Sequence, residues 1–218
     1  MVKETTMHRG TKRTAQLLVA LLVVPLPLWH GVPSQAEERD DSLAKLRTTN
    51  ECVGCYLANA RFAGTNLLGA NLDKANLTKA DLHNAILIGA TLQEAKLDGA
   101  NLQGAILGGA DLREARLRGA DMSGATVSRA NLKMADLSGV NLTGAKLDFV
   151  NLEGANLVGA NLSGADLYEA KLLFAELQDA DLRGADLSAA DLTAANLKGV
   201  KTDLRTTCPD FKTGSCGW

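Results

Sequence analysis

Residues 155–167 read ANLVGANLSGADL, one five-residue phrase spoken almost three times without a break. Taking Leu as the centre of each phrase, centres continue in steps of five from Leu57 to Leu197, 29 units in a single phase. Every centre is Leu except Phe62, Met122 and Val127. The residue two before the centre is Ala in all units but those of Cys55, Thr65, Val140 and Val150. A period of five matches neither the 3.6 of a helix nor the 2 of a flat strand. Two inward residues per five, with one outward residue between them, predict a very short strand followed by a tight turn. Gly64, Gly69, Gly89, Gly99, Gly104, Gly109 and others up to Gly199 fall two after the centre. In a four-residue turn starting at Leu this is the third place, where a type II turn needs positive φ and Gly supplies it without steric cost. At Lys74, Glu94, Glu114 and Phe174, which hold the same place, the expectation is a different turn type.

Composition fits a regular interior. Of the 218 residues 46% are hydrophobic but only 4% aromatic, so the apolar mass is Leu and Ala, which cannot fill irregular gaps. The four Pro are Pro25, Pro27, Pro33 and Pro209, and none interrupts the repeat.

Units such as ANLVG, ANLSG and ADLRG resemble the consensus Ala-(Asp/Asn)-Leu-x-x of the pentapeptide-repeat family, over nearly all of residues 55–199. The resemblance implies an all-β fold, a right-handed quadrilateral parallel β-helix with four units, or 20 residues, per coil. Twenty-nine units then make about seven coils, a rod roughly 35 Å long at the usual strand spacing. Residues 20 apart stack, so Leu77, Leu97, Leu117, Leu137 and Leu157 form one interior ladder. Asn or Asp before the centre, as at Asn151, Asn156, Asn161 and Asp166, reads as local backbone hydrogen bonding at the turns. A set of calcium ligands is the weaker alternative.

The first 36 residues stand apart. His8, Arg9, Lys12 and Arg13 precede the apolar run AQLLVALLVVPLPLW of 15 residues, and Ser34-Gln35-Ala36 offers small residues at the −3 and −1 places of a cleavage site. This is the layout of a secretory signal peptide, the alternative being an uncleaved anchor. The run falls short of the about 20 residues of a spanning helix. Cleavage after Ala36 leaves 19 basic and 24 acidic residues, net −5. That mixed, mildly acidic surface predicts no nucleic-acid partner, and no membrane contact once the leader is gone. The expected location is the periplasm, or the thylakoid lumen in a photosynthetic source.

The remaining boundaries are an N-terminal cap at 37–54, the repeat at 55–201 and a C-terminal cap at 202–218. A short helix over 40–47, DDSLAKLR, with Asp41 or Ser42 as N-cap, is expected to cover one end of the solenoid and TTCPDFKTGSCGW the other. The four cysteines lie in pairs at the two ends, too far apart on such a rod to be bridged across it. Local disulfides Cys52–Cys55 and Cys208–Cys216 are expected in an oxidising compartment. For CxxC a redox pair or half a metal site stays open, with the structural cap preferred.

No catalytic constellation is visible. Past Ala36 the chain has one histidine, His83, in an outward slot, and the glycines belong to the turns. No catalytic, metal or cofactor-binding residue is assigned, and no cofactor is expected. Function is then sought on the outside. The side with centres 67, 87, 107, 127, 147, 167 and 187 places Leu68, Ile86, Ile88 and Ile106 in outward slots usually held by Asn, Asp or Ser, with Phe149 and Tyr168 farther along. Such a cluster marks a docking face for a protein partner or a second copy, in a weak dimer; a stiffer outer ladder is the competing reading. Some members of the resembled family protect DNA gyrase by imitating DNA, which requires a strongly acidic cytoplasmic rod. Others are exported and have no assigned activity. The expected function is a non-catalytic structural or interaction module, with a topoisomerase-interacting DNA mimic and a CxxC-dependent redox-linked periplasmic protein as alternatives.

Overall fold

The structure is a computed structural model, and it describes residues 34–214 and 216. The leader expected over 1–36 therefore lies outside the described residues as far as position 33. From Glu51↔Asn71 to Asp181↔Lys201 the chain forms parallel bridges between residues 20 apart, one in every unit. Each unit closes the same way. In residues 96–100 the Ala100 N–H donates to Leu97 O at 3.0 Å across the turn. Coil-to-coil bonds then run from Leu97 N to Arg116 O (2.6 Å), from Gly99 N to Arg118 O (2.9 Å) and from Asn101 N back to Ala80 O (2.9 Å). The backbone is thus paired along the rod axis rather than within a flat sheet, as solenoids require.

Inside, the two inward residues of the units along the middle of the rod are sealed: Ala95, Leu97, Ala115 and Leu117 are all 0% exposed. Each Leu contributes roughly 1.5–3 kcal/mol by leaving water. Because Ala and Leu alternate around the square, the interior closes on itself without larger side chains.

The corners correct the sequence expectation. Lys74 (φ 59°), Glu94 (55°), Glu114 (58°) and Phe174 (59°) adopt the same left-handed conformation as the glycines around them. No different turn type appears. The reason lies in the coils above and below: Glu94 N must reach Arg113 O (3.0 Å) and Phe174 N must reach Thr193 O (3.1 Å). A turn of another type would aim that N–H away from its acceptor. The ladder therefore imposes the conformation, at a cost of roughly 1–2 kcal/mol for a residue with a Cβ.

The N-terminal cap is also longer than the sequence suggests. Helix α1 spans Gln35–Thr49, and its N-cap is Ser34 rather than Asp41 or Ser42. The Ser34 hydroxyl accepts from Glu37 N (3.3 Å) while Glu37 Oε2 accepts from Ser34 N (2.8 Å), a reciprocal capping box. Ser42 and Leu46 are buried, and Leu43 packs against the first coil. The helix ends at Asn50 in the left-handed region (φ 58°), whose amide reaches across to Leu68 O at 3.0 Å.

Both ends were expected to be covered; the far one is covered only in part. Past Lys201 one extra residue shifts the pairing to Asp186↔Thr207, and Thr207 pairs antiparallel with Thr213. The fully buried Thr206 fills the bulge, its hydroxyl donating to Leu182 O at 3.1 Å. This hook covers Leu182 and Leu187 but leaves Leu192 and Leu197 half-buried. Leu204 and Phe211 on the hook itself are exposed.

Candidate interaction face and terminal cysteines

The bridging register assembles the apolar face. Asn66, Ile86, Ile106 and Thr126 pair successively in one column. Leu68 and Ile88 stand one coil apart in the next column, followed by Gly108 and Ser128. Leu68 is 56% exposed, Ile88 41% and Ile106 37%, while Ile86 between them is half-buried. The corners flanking the strip are Gly69, Gly89 and Gly109, where an added Cβ would meet nothing. Four apolar side chains thus lie on a flat surface with no rim on that side.

Phe149 and Tyr168 do not join that strip. They lie on the same side, separated from it by Thr126, Ser128, Lys146 and Asp148. There the Phe149 ring meets Tyr168 edge-on at 5.6 Å, and the Arg129 guanidinium stacks over Phe149 at 4.9 Å. The neighbouring Glu169 carboxylate raises the pKa of the Tyr168 phenol. One predicted face therefore holds two features, an aliphatic strip and a cation–aromatic cluster.

The other faces are mostly polar and carry ion pairs. Arg116 and Arg118 both bind Asp98 (2.7 and 2.9 Å), and Arg113 binds Asp111 (2.7 Å). Hydrogen bonds from Arg113 and Arg183 hold Asp111 and Asp181 below the usual carboxylate range. His83 pairs through Nδ1 with Asp81 at 2.7 Å, which likewise lowers the Asp81 pKa. The Asn and Asp before the centres accept from the backbone two residues on, as in Asn161 Oδ1 with Ser163 N at 3.1 Å.

Both cysteine pairs are disulfides in the structure, Cys52–Cys55 and Cys208–Cys216. Cys52 is fully buried, its sulfur 3.2 Å from Ser42 O of α1, so the first bridge pins the entry of the solenoid under the helix. The second closes the C-terminal hook.

Two further apolar corners are exposed, Met134 (58%) and Phe174 (59%), which flank Gly154 in one column. Met134 lies over Gly154, where a Cβ would come within 2.6 Å of its sulfur. Met134 and Phe174 both stand two after a centre, the slot that Phe149 also fills, so their place at a corner is legible in the sequence.

Comparison with known proteins follows the same lines. The family model described as Pentapeptide repeats matches in eight copies over residues 55–93, 95–133, 135–172 and 170–201. No curated protein matches the chain. Among solved structures, a trypsin-treated variant of QnrB1, a plasmid-mediated fluoroquinolone resistance protein, is similar at 26% identity over 70% of this chain and 80% of that one, with a TM-score of 0.61. Full-length QnrB1 is 24% identical over 70% and 82%, with a TM-score of 0.59. HetL, a pentapeptide repeat protein involved in heterocyst differentiation regulation from the cyanobacterium Nostoc sp. strain PCC 7120, is 29% identical over 82% and 98%, with a TM-score of 0.30. Members of this family are generally non-enzymatic structural proteins. With the repeat matched along most of its length, the chain belongs to the pentapeptide-repeat family and folds as a right-handed β-helical solenoid.

Proposed function

We propose that this chain is an exported, non-catalytic rod of about seven coils that docks a protein partner, or a second copy of itself, through the strip formed by Leu68, Ile86, Ile88 and Ile106. The observation that carries the reading is the exposure of Leu68, Ile88 and Ile106 side by side, in slots where neighbouring coils hold Asn, Asp, Ser and Thr. Exposed aliphatic side chains clustered on a flat face gain by burial against a partner. The same face does not need them for folding, because the inward ladder beneath is already sealed. The basic start, apolar run and small-residue site support export, and two disulfides agree with an oxidising compartment.

The test is the pair of replacements Ile88→Asp and Ile106→Asp made together. The expected outcome is an unchanged far-UV spectrum, with a melting temperature within a few degrees of wild type. Any concentration-dependent association in light scattering is lost, as is any partner captured from a periplasmic extract. Association equal to that of wild type would remove the docking face.

A second reading, the topoisomerase-interacting DNA mimic that the family resemblance offers as an alternative, gains from the likeness to a fluoroquinolone resistance protein. Against it stand the near-balance of 19 basic and 24 acidic residues past Ala36 and the Arg–Asp pairs that interleave both signs along the rod. Cell fractionation separates the two readings, since a periplasmic rod cannot meet a cytoplasmic topoisomerase.

A further inference from the structure

The residues that form a leader cleavage site in the sequence are those that start α1 in the fold. The apolar run ends before Ser34-Gln35-Ala36, which places the scissile bond between Ala36 and Glu37. In the structure Ser34 and Glu37 form the capping box, and Glu38 N donates to Ser34 O at 3.0 Å. All three hydrogen bonds span the scissile bond. A peptidase has to take the residues around the bond it cuts in extended form, and a capped first turn withholds that form.

Among the described residues, no hydrogen bond or ion pair joins residues 34–38 to the solenoid. Residues 34–38 are all exposed; burial begins at half-buried Arg39 and deepens at Ser42, Leu43 and Leu46. Opening the first turn therefore costs only its local cap and disturbs none of the packing below.

We propose that the Ser34–Glu37 capping box is a latch over a processing site at Ala36–Glu37, so that folding of the cap and removal of the leader compete. The inference rests on the export reading above. Hydrolysis adds one water, leaving a carboxylate on Ala36 and an ammonium on Glu37, and it removes Ser34 from the helix. The processed chain cannot rebuild the box. Its helix starts again nearly two turns later, where Asp40 and Asp41 offer side-chain caps immediately before Ser42. Leu43 and Leu46 keep their places against the first coil. Cleavage thus destroys its own latch and leaves the cap's packing intact.

The variant Ser34→Ala separates the two roles of one residue. Alanine is still small, so the cleavage motif survives, but the side-chain cap is lost. The full-length precursor in detergent micelles is digested with a purified leader peptidase, and the product beginning at Glu37 is followed by mass. When cutting samples a rapidly opening turn, its rate follows the open population, and loss of a side-chain cap raises that population about five-fold. The folded Ser34→Ala precursor should therefore be cut about five times faster than folded wild type. A synthetic peptide of residues 20–45 with either residue should be cut at one common rate. Equal rates for the two folded precursors, after normalising to the peptides, would overturn the latch while leaving export standing. If the wild-type peptide is not cut between Ala36 and Glu37, both the export reading and the latch fall.

Discussion

Replacement of Leu117 by Asp should leave no folded rod. Leu117 is 0% exposed at mid-length, stacked between Leu97 and Leu137 in neighbouring coils, which are equally sealed. Truncating a buried Leu to Ala already costs about 2–5 kcal/mol. A carboxylate in the same place adds the cost of a buried, unpaired charge, and the total rivals the whole stability of a typical domain, about 5–15 kcal/mol. The solenoid offers little room for escape, because each coil is held only by the coils beside it. Expelling one centre opens two neighbouring rungs and creates two uncapped ends. Val158→Asp is the matched control: Val158 stands on the same side of the square, but its side chain points out and is 39% exposed. Its effect should stay within about 0.5 kcal/mol. Urea denaturation followed by far-UV circular dichroism checks both. A Leu117→Asp protein that melts within a few degrees of wild type would mean that the ladder is not the core.

The second large effect concerns phase. Deleting residues 131–135 removes one complete unit, NLKMA. Downstream residues then rotate by a quarter turn about the rod, yet every Leu still points inward and every corner still falls in a left-handed slot. The protein should remain folded, losing the burial of one Leu and one Ala, about 2–4 kcal/mol. Deleting Lys133 alone removes less mass and should do far more harm. The two-residue turn between Leu132 and Ala135 has nothing to spare: Met134 N reaches Glu153 O at 3.0 Å and Ala135 N reaches Leu132 O at 3.0 Å. Without Lys133 either those bonds break or all later centres point the wrong way. The expected result is a cooperative unfolding transition for the five-residue deletion and none for the single deletion, whose product is recovered mainly as aggregate.

Such predictions are possible because phase is what the sequence displays best. The position of every Leu and Ala in the interior could be read from residues 57–197 alone, as could the 20-residue register once the family resemblance supplied four units per coil. The aliphatic strip was legible too, since Ile86 and Ile106 replace polar residues in otherwise uniform slots. Other features depended on information that a repeat does not carry locally. The conformation of Lys74 or Phe174 follows from the glycines one or two coils away, and intrinsic preference points the other way. The start of α1 is hidden in the sequence because Ser34 serves two patterns at once, the small-residue cleavage motif and the capping box with Glu37. Leu192 and Leu197 look like any other centre; only the reach of the C-terminal hook determines that they stay half-open. The distance of Phe149 and Tyr168 from the strip follows from the 20-residue register, whereas their edge-on contact and the Arg129 guanidinium over Phe149 depend on side-chain conformations that a census of apolar slots does not carry.

Spin labels on cysteines introduced at Gln103 and Arg183 measure the winding itself. Both residues occupy the slot after a centre on the same side of the square, 80 positions apart, hence four coils. At the usual spacing between neighbouring strands the backbones should stand about 19 Å apart, with a narrow distance distribution around the value expected for two outward labels. A broad distribution, or one centred beyond about twice that separation, would show that the chain does not close a coil every twenty residues, and the docking strip and ladder would be lost with it.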